Sequence, residues 1–149
     1  YQTEAATWFQ GGTQVIFAAA GGAGNSVMAA AGANNGKVIG VDIDQSAEST
    51  TVITSAMKGL GISVYNALAD YYADSFKGGV SVSLGVDVDG VSLPSDFSRF
   101  ATFTEADYTA IYEKLVADTD GVRTNIKKDT DVAAASELPV TNVTVEVIE

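Results

Sequence analysis

Apolar residues in this chain fall into short uninterrupted runs alternating with longer stretches where they recur every three or four positions. The first pattern suits strands covered on both faces, and the second suits helices with one face against a core. Residues 3–10 read as the end of a helix stopped by Gly11-Gly12, and 14–19 as a buried strand. Gly21-Gly22-Ala23-Gly24-Asn25 breaks that strand and opens a helix over 26–33, closed by Asn34-Asn35-Gly36. A second strand over 37–41 ends at Asp42, and a polar loop over 44–50 leads to a third over 51–54. An amphipathic helix over 57–75 follows, with Leu60, Val64, Leu68 and Tyr71 or Tyr72 on one face.

The pattern then changes. Residues 80–84 alternate as a half-exposed strand would, and Asp87-Val88-Asp89-Gly90 reads as a hairpin turn with its return strand over 91–93, stopped by Pro94. Thr104 with Asp107 three positions on resembles a capping box, starting a helix that runs to Ala117. Val140, Val143, Val145 and Val147 predict a terminal strand. Strands alternating with helices indicate an α/β fold whose sheet is mainly parallel, with helices on both faces.

Charge and composition narrow the function classes. Eight basic residues stand against 19 acidic ones, a net charge of −11, which excludes the basic footprint of a nucleic-acid binder. The chain has no cysteine and no histidine, which removes thiol nucleophiles, thiolate metal sites and the commonest general base. No apolar run reaches the roughly 18 residues of a membrane span. Neither a metal nor a cofactor is expected, and an enzyme is the less favoured class.

The candidate chemistry lies where strands end. In an open α/β sheet, ligands bind outside the carboxyl ends of the strands. The loop over 17–25, the loop over 42–45 and the segment over 55–58 should therefore meet at one rim. Glycines at 21, 22 and 24 let backbone approach a ligand, and the following helix start offers free N–H groups. Asp42 and Asp44 would point to the same side if the strand continued that far, where a carboxylate suits vicinal hydroxyls, and Lys58 would add a cation. Phe17 lies inside an apolar strand, where such a residue is more often core than a ring that stacks on a ligand. Asp44 and Gln45 are also readable as plain turn formers.

A rival reading takes Gly22-x-Gly24 with Asp42, 20 residues after Gly22, as a dinucleotide-binding turn in an oxidoreductase; Val27 at the third glycine position speaks against it. Asp87 and Asp89 supply only half of a calcium loop. Asn142-Val143-Thr144 matches a glycosylation acceptor but falls within the expected terminal strand.

Three ordered segments, Val15-Ile16-Phe17-Ala18-Ala19-Ala20-Gly21-Gly22-Ala23-Gly24-Asn25, Ile39-Gly40-Val41-Asp42-Ile43-Asp44-Gln45 and Val52-Ile53-Thr54-Ser55-Ala56-Met57-Lys58, resemble the basic membrane protein (BMP) family. Phe76-Lys77-Gly78-Gly79 and Asp89-Gly90-Val91 fit the same resemblance, which covers about the first 95 residues. The family comprises solute-binding lipoproteins of ABC transporters, purine nucleoside receptors among them. The resemblance implies a type I periplasmic-binding fold, with two lobes clamping a ligand that is then delivered to a permease. It implies that these 149 residues are the carboxyl-terminal lobe, with segments 80–95 and 138–149 crossing to or packing on an amino-terminal lobe. It further implies an extracytoplasmic, lipid-anchored parent. Asp42 or Asp44 would hold ribose hydroxyls, Lys58 would make a second polar contact, and Phe17 with the backbone of Gly21 and Gly22 would line the base. Ser92-Leu93-Pro94 departs from the family's glycine-rich hinge strand, which puts the interlobe crossing in doubt.

Overall fold

The computed structural model describes residues 1–128 and 130–148, in two compact units, Tyr1–Tyr112 and Glu113–Glu149. The first unit holds a four-stranded sheet in the order β1-β2-β3-β4, built from Val15–Phe17, Lys37–Asp42, Val52–Lys58 and Val91–Ser92. Strands β1, β2 and β3 are parallel, and β4 returns antiparallel to β3. This is the α/β architecture with a mainly parallel sheet that the alternating pattern predicts.

Helix α1 (Gln2–Gln10) precedes β1, and α2 (Gly24–Asn34) connects β1 to β2. The two helices pack on each other, and α2 also packs on β2. Ala5 and Phe9 of α1, Val27, Met28, Ala30 and Ala31 of α2, Ala18, and Val38 and Val52 of the sheet form one apolar cluster. Gly36 is needed there because a Cβ at that position would collide with the Phe9 ring. Helix α3 (Leu60–Tyr72) follows β3 and buries none of its side chains. Of the two expected helical layers, the α1/α2 layer is the packed one.

The structure corrects several sequence expectations. Strand β1 is an edge strand, not one buried on both faces: Val15 and Phe17 are 42% and 56% exposed. Strand β3 continues to Lys58 instead of stopping at 54, because Ser55, Ala56 and Met57 pair with Gly40, Val41 and Asp42. The helix therefore begins after Gly59, whose N–H donates to the Gly90 carbonyl at 2.8 Å. A Cβ at Gly59 would strike the backbone at Asp89, so that close approach requires glycine.

The expected hairpin is absent among the described residues. Residues 80–84 pair with nothing as a strand, Val86–Val88 is a 3-10 turn, Asp89 is left-handed, and 91–92 pairs with β3 instead. Alternation marked a side of the chain, but β3 offered the better partner.

Helix α4 (Glu105–Ala117) begins in the first unit and ends in the second. Its start is a reciprocal box, with the Thr104 N–H donating to Asp107 Oδ2 at 2.9 Å and the Asp107 N–H donating to Thr104 Oγ1 at 3.3 Å. Beyond α4, the second unit is built of turns closed by carboxylates. Asp118 Oδ1 accepts the N–H groups of Arg123 and Thr124, and Glu137 accepts the Ala133 N–H. Residues 138–148 form no strand, so the valine alternation there has no sheet edge to complete. No helix among the described residues is long and apolar enough to cross a membrane.

Candidate functional site

Parallel strands bring their carboxyl ends to one edge of the sheet, so Phe17, Asp42 and Lys58 close three adjacent strands there. Asp42 and Lys58 meet directly: Lys58 Nζ lies 2.6 Å from Asp42 Oδ1. The lysine and aspartate side chains are 63% and 49% exposed, so the pair is a solvated surface ion pair that contributes little to stability. Two opposite charges held at an open edge remain available to a ligand, a carboxylate as acceptor and an ammonium as donor.

Asp42 adopts φ +71, a positive angle uncommon outside glycine, at the centre of a three-residue turn closed by the Ile43 N–H on the Val41 carbonyl at 2.8 Å. The strand ends at that residue, which removes the alternation that would have aligned Asp42 with Asp44. Asp44 Oδ1 instead accepts the Ser46 N–H at 2.9 Å, making Asp44 the turn former of the two acids.

Phe17 stands 56% exposed at the end of β1 and stacks on no other ring among the described residues. After it the Ala18 N–H still bonds the Ile39 carbonyl, and a 3-10 turn, Gly21–Ala23, leads into α2. Gly21 and Gly22 are both exposed; Gly21 has φ +54, which makes glycine the fitting residue, and nothing lies within 4 Å of a Cβ built at either. Helix α2 starts without a side-chain cap, and its first N–H, that of Gly24, donates to the Gly21 carbonyl of the preceding turn. The glycine loop and the Asp42–Lys58 pair leave the same edge of the sheet, but no hydrogen bond joins them among the described residues.

Two features of the loops around the sheet were not legible in the sequence. Arg99 donates from Nη1 to the carbonyls of Ser49 and Val52 at 2.9 and 2.7 Å, and from Nη2 to that of Ser46 at 3.1 Å. It thereby closes the β2–β3 loop from a segment some 50 residues away. The Tyr112 hydroxyl lies 3.0 Å from Asp89 Oδ1 and 3.1 Å from the Val86 carbonyl, bracing the turn that packs on Gly59. Burial first, then the hydrogen bond to Asp89 and its charge, push the Tyr112 phenol above its usual pKa. An arginine set between Phe97 and Phe100 was the available signal in the sequence, and it names no partner.

Val27, at the third glycine position of the dinucleotide pattern, is buried in the core, so that pattern stays incomplete in three dimensions as well. An open groove of about 570 Å³ between α2 and the β2–β3 loop, lined by Asn25, Met28 and Glu48 among others, lies on the helical face instead of at the strand ends. No cluster of acidic residues among the described residues is arranged to hold a metal.

The fold is of the periplasmic-binding class. An ABC transporter solute-binding protein from Aeropyrum pernix aligns with a TM-score of 0.50 at 27% identity, over 83% of this chain and 39% of that one. A second such protein, from Conexibacter woesei, aligns with a TM-score of 0.58 at 23% identity, over 78% and 39%. The structure of a transcriptional activator of the comK gene from Bacillus halodurans shares the fold, with a TM-score of 0.60 at 14% identity, over 78% and 40%. In sequence, residues 2–128 match the family described as ABC transporter substrate-binding protein, PnrA-like, and the chain belongs to that family. The CD4+ T-cell-stimulating antigens of Listeria monocytogenes and Listeria innocua are each 35% identical over 109 residues. That alignment takes in 62% of this chain and 30% of either antigen, so the chain spans less than a third of those relatives. Solute-binding proteins of ABC transporters work outside the cytoplasm.

Proposed function

We propose that this chain is one lobe of a two-lobe nucleoside-binding protein that captures a purine nucleoside and passes it to an ABC permease. Asp42 accepts hydrogen bonds from the ribose hydroxyls, Lys58 donates to a second polar group, Phe17 stacks on the base, and the backbone of Gly21 and Gly22 lines it. Asp42 is favoured over Asp44 because it ends β2 beside Lys58, whereas Asp44 Oδ1 is tied into its own turn by the Ser46 N–H. The observation that carries the reading is the exposed Asp42–Lys58 pair, on strands next to one that ends in an exposed phenylalanine.

A second lobe accounts for two further features. Leu60, Val64, Leu68 and Tyr71 lie along one side of α3, each at least half exposed, and Val80 and Val82 beyond it are exposed as well. An apolar surface of this extent is characteristic of an interface. The other lobe covers it, with segments 80–95 and 138–149 crossing to or packing on that lobe, and a lipid anchor holds the whole protein at the outer face of the membrane. The dinucleotide reading has less behind it, since the third glycine position is Val27, buried in the core, and the family is one of solute binding.

Calorimetry on the protein as its gene encodes it tests this. Asp42→Ala should weaken binding of inosine, guanosine and adenosine by about 1–3 kcal/mol, the range of a lost hydrogen bond to a charged group. Unchanged affinity for all three would remove Asp42 from the site, and stabilisation by NAD without any by nucleosides would restore the oxidoreductase reading.

A further inference from the structure

We propose that Gln45 is the positioning residue of the strand-end site, holding the Asp42 backbone in its positive-φ conformation before any ligand arrives. This rests on the reading of Asp42 as the acid that meets the ligand. Asp42 is the point where β2 stops being a strand, and a positive-φ residue at a free strand end would sample other conformations unless its neighbours were held. The residue on its amino side is held by Gln45. The Val41 N–H donates to Gln45 Oε1 at 2.8 Å, so a side chain four residues later takes the place of a ladder partner.

Gln45 is itself fixed from three directions. Its backbone N–H donates to Ser55 Oγ at 3.1 Å, and Ser55 is fully buried on β3. Its Nε2 lies 3.3 and 3.4 Å from the two carboxylate oxygens of Glu48, which sets which end of the amide faces Val41. Gly40 leaves the space for it, since a Cβ there would come within 2.7 Å of Gln45 Oε1 and 2.6 Å of Ser55 Oγ. Arg99 anchors the far end of the same loop through Ser46, Ser49 and Val52. The Gly40–Asp42 strand end, Gln45 and Ser55 thus form one interlocked unit, and the exposed Asp42 carboxylate is its output. Fixing the acid beforehand spares the ligand the entropy of ordering it.

The test compares inosine with 2′,3′-dideoxyinosine, which offers Asp42 no ribose hydroxyls, across wild type, Gln45→Ala and the double variant Gln45→Glu/Glu48→Gln in the full protein. Gln45→Ala should lose about tenfold in affinity for inosine and less than about twofold for the dideoxy compound. Gln45→Glu keeps an oxygen for Val41 but sets a second carboxylate against Glu48, so the rescue is the double variant Gln45→Glu/Glu48→Gln, whose residue-48 amide restores the donor; it should recover inosine binding to within about threefold of wild type. Equal losses for both ligands, or none, would overturn the positioning role. Amide exchange gives a readout that needs no ligand: in Gln45→Ala the Val41 amide should exchange at least about tenfold faster, while Val38, bonded to the Thr51 carbonyl, stays unchanged. An unaltered Val41 rate sinks the proposal even if the protein binds no nucleoside; a faster Val41 in a protein indifferent to nucleosides sinks only the ligand reading.

Discussion

Helices α2 and α3 are 11 and 13 residues long, both follow parallel strands, and both are rich in apolar residues, yet their fates differ. Met28, Ala30 and Ala31 of α2 are at most 5% exposed, whereas no residue of α3 is buried. The difference lies in their neighbours and not in their own sequences. Helix α2 has α1 beside it and β2 beneath it. An apolar stripe declares which side of a helix can be buried, and only another element can bury it.

The most severe way to challenge this contrast is to place a charge on each helix. Ala31→Asp would put a carboxylate where no water reaches and should cost about 3–5 kcal/mol, a large part of the stability of an ordinary domain. Val64→Asp on α3 should change the unfolding free energy of the 149-residue chain, measured in urea, by no more than about 0.5 kcal/mol. Comparable losses from both would mean that α3 is covered in solution.

Truncation sharpens the same point with a smaller effect. Met28→Ala should cost about 2–4 kcal/mol through lost contacts and a cavity, and Leu68→Ala less than about 0.5 kcal/mol in this chain. In the full protein of the proposed function, Leu68→Ala should rise toward the cost at Met28. An unchanged small cost there would leave the α3 face without a second lobe upon it.

The smallest effect concerns helix starts. Neither α2 nor α3 has a side-chain cap, while α4 has the Thr104–Asp107 box. Hydrogen bonds from the Thr104 side chain, then from its backbone, hold the Asp107 carboxyl below its usual pKa. Because the folded value is the lower one, its stabilisation is complete above about pH 4 and fades as the pH falls through the folded value. Residue-resolved NMR through that range should show the first turn of α4 loosening with the protonation of Asp107. The starts of α2 and α3 lack this carboxylate-dependent step, and an α4 first turn indifferent to acid would contradict the assignment.

Local chemistry was the legible part. Gly11, the Asn34-Asn35-Gly36 stop, the glycine turn after Phe17 and the Thr104 box act within a few residues, and each stands close to where the pattern puts it. Asp44 was legible as a turn former for the same reason. The strand lengths were not. Ser55, Ala56 and Met57 look like a helix approach in sequence and become strand because β2 lies alongside them. The strand expected over 80–84 and the terminal strand over 140–147 had the right alternation, but no edge pairs with them among the described residues.

The sequence by itself determined the parallel α/β order, the acidic and cysteine-free chemistry, and the glycine and cap signals that bound the helices, because these are properties of the local chain. Only the tertiary structure decided that Lys58 reaches Asp42, that Gln45 stands in for a ladder partner of Val41, and that Arg99 closes the loop between them. Those contacts join residues 4 to 53 positions apart. Their energies depend on registers and crossings that the whole fold sets at once.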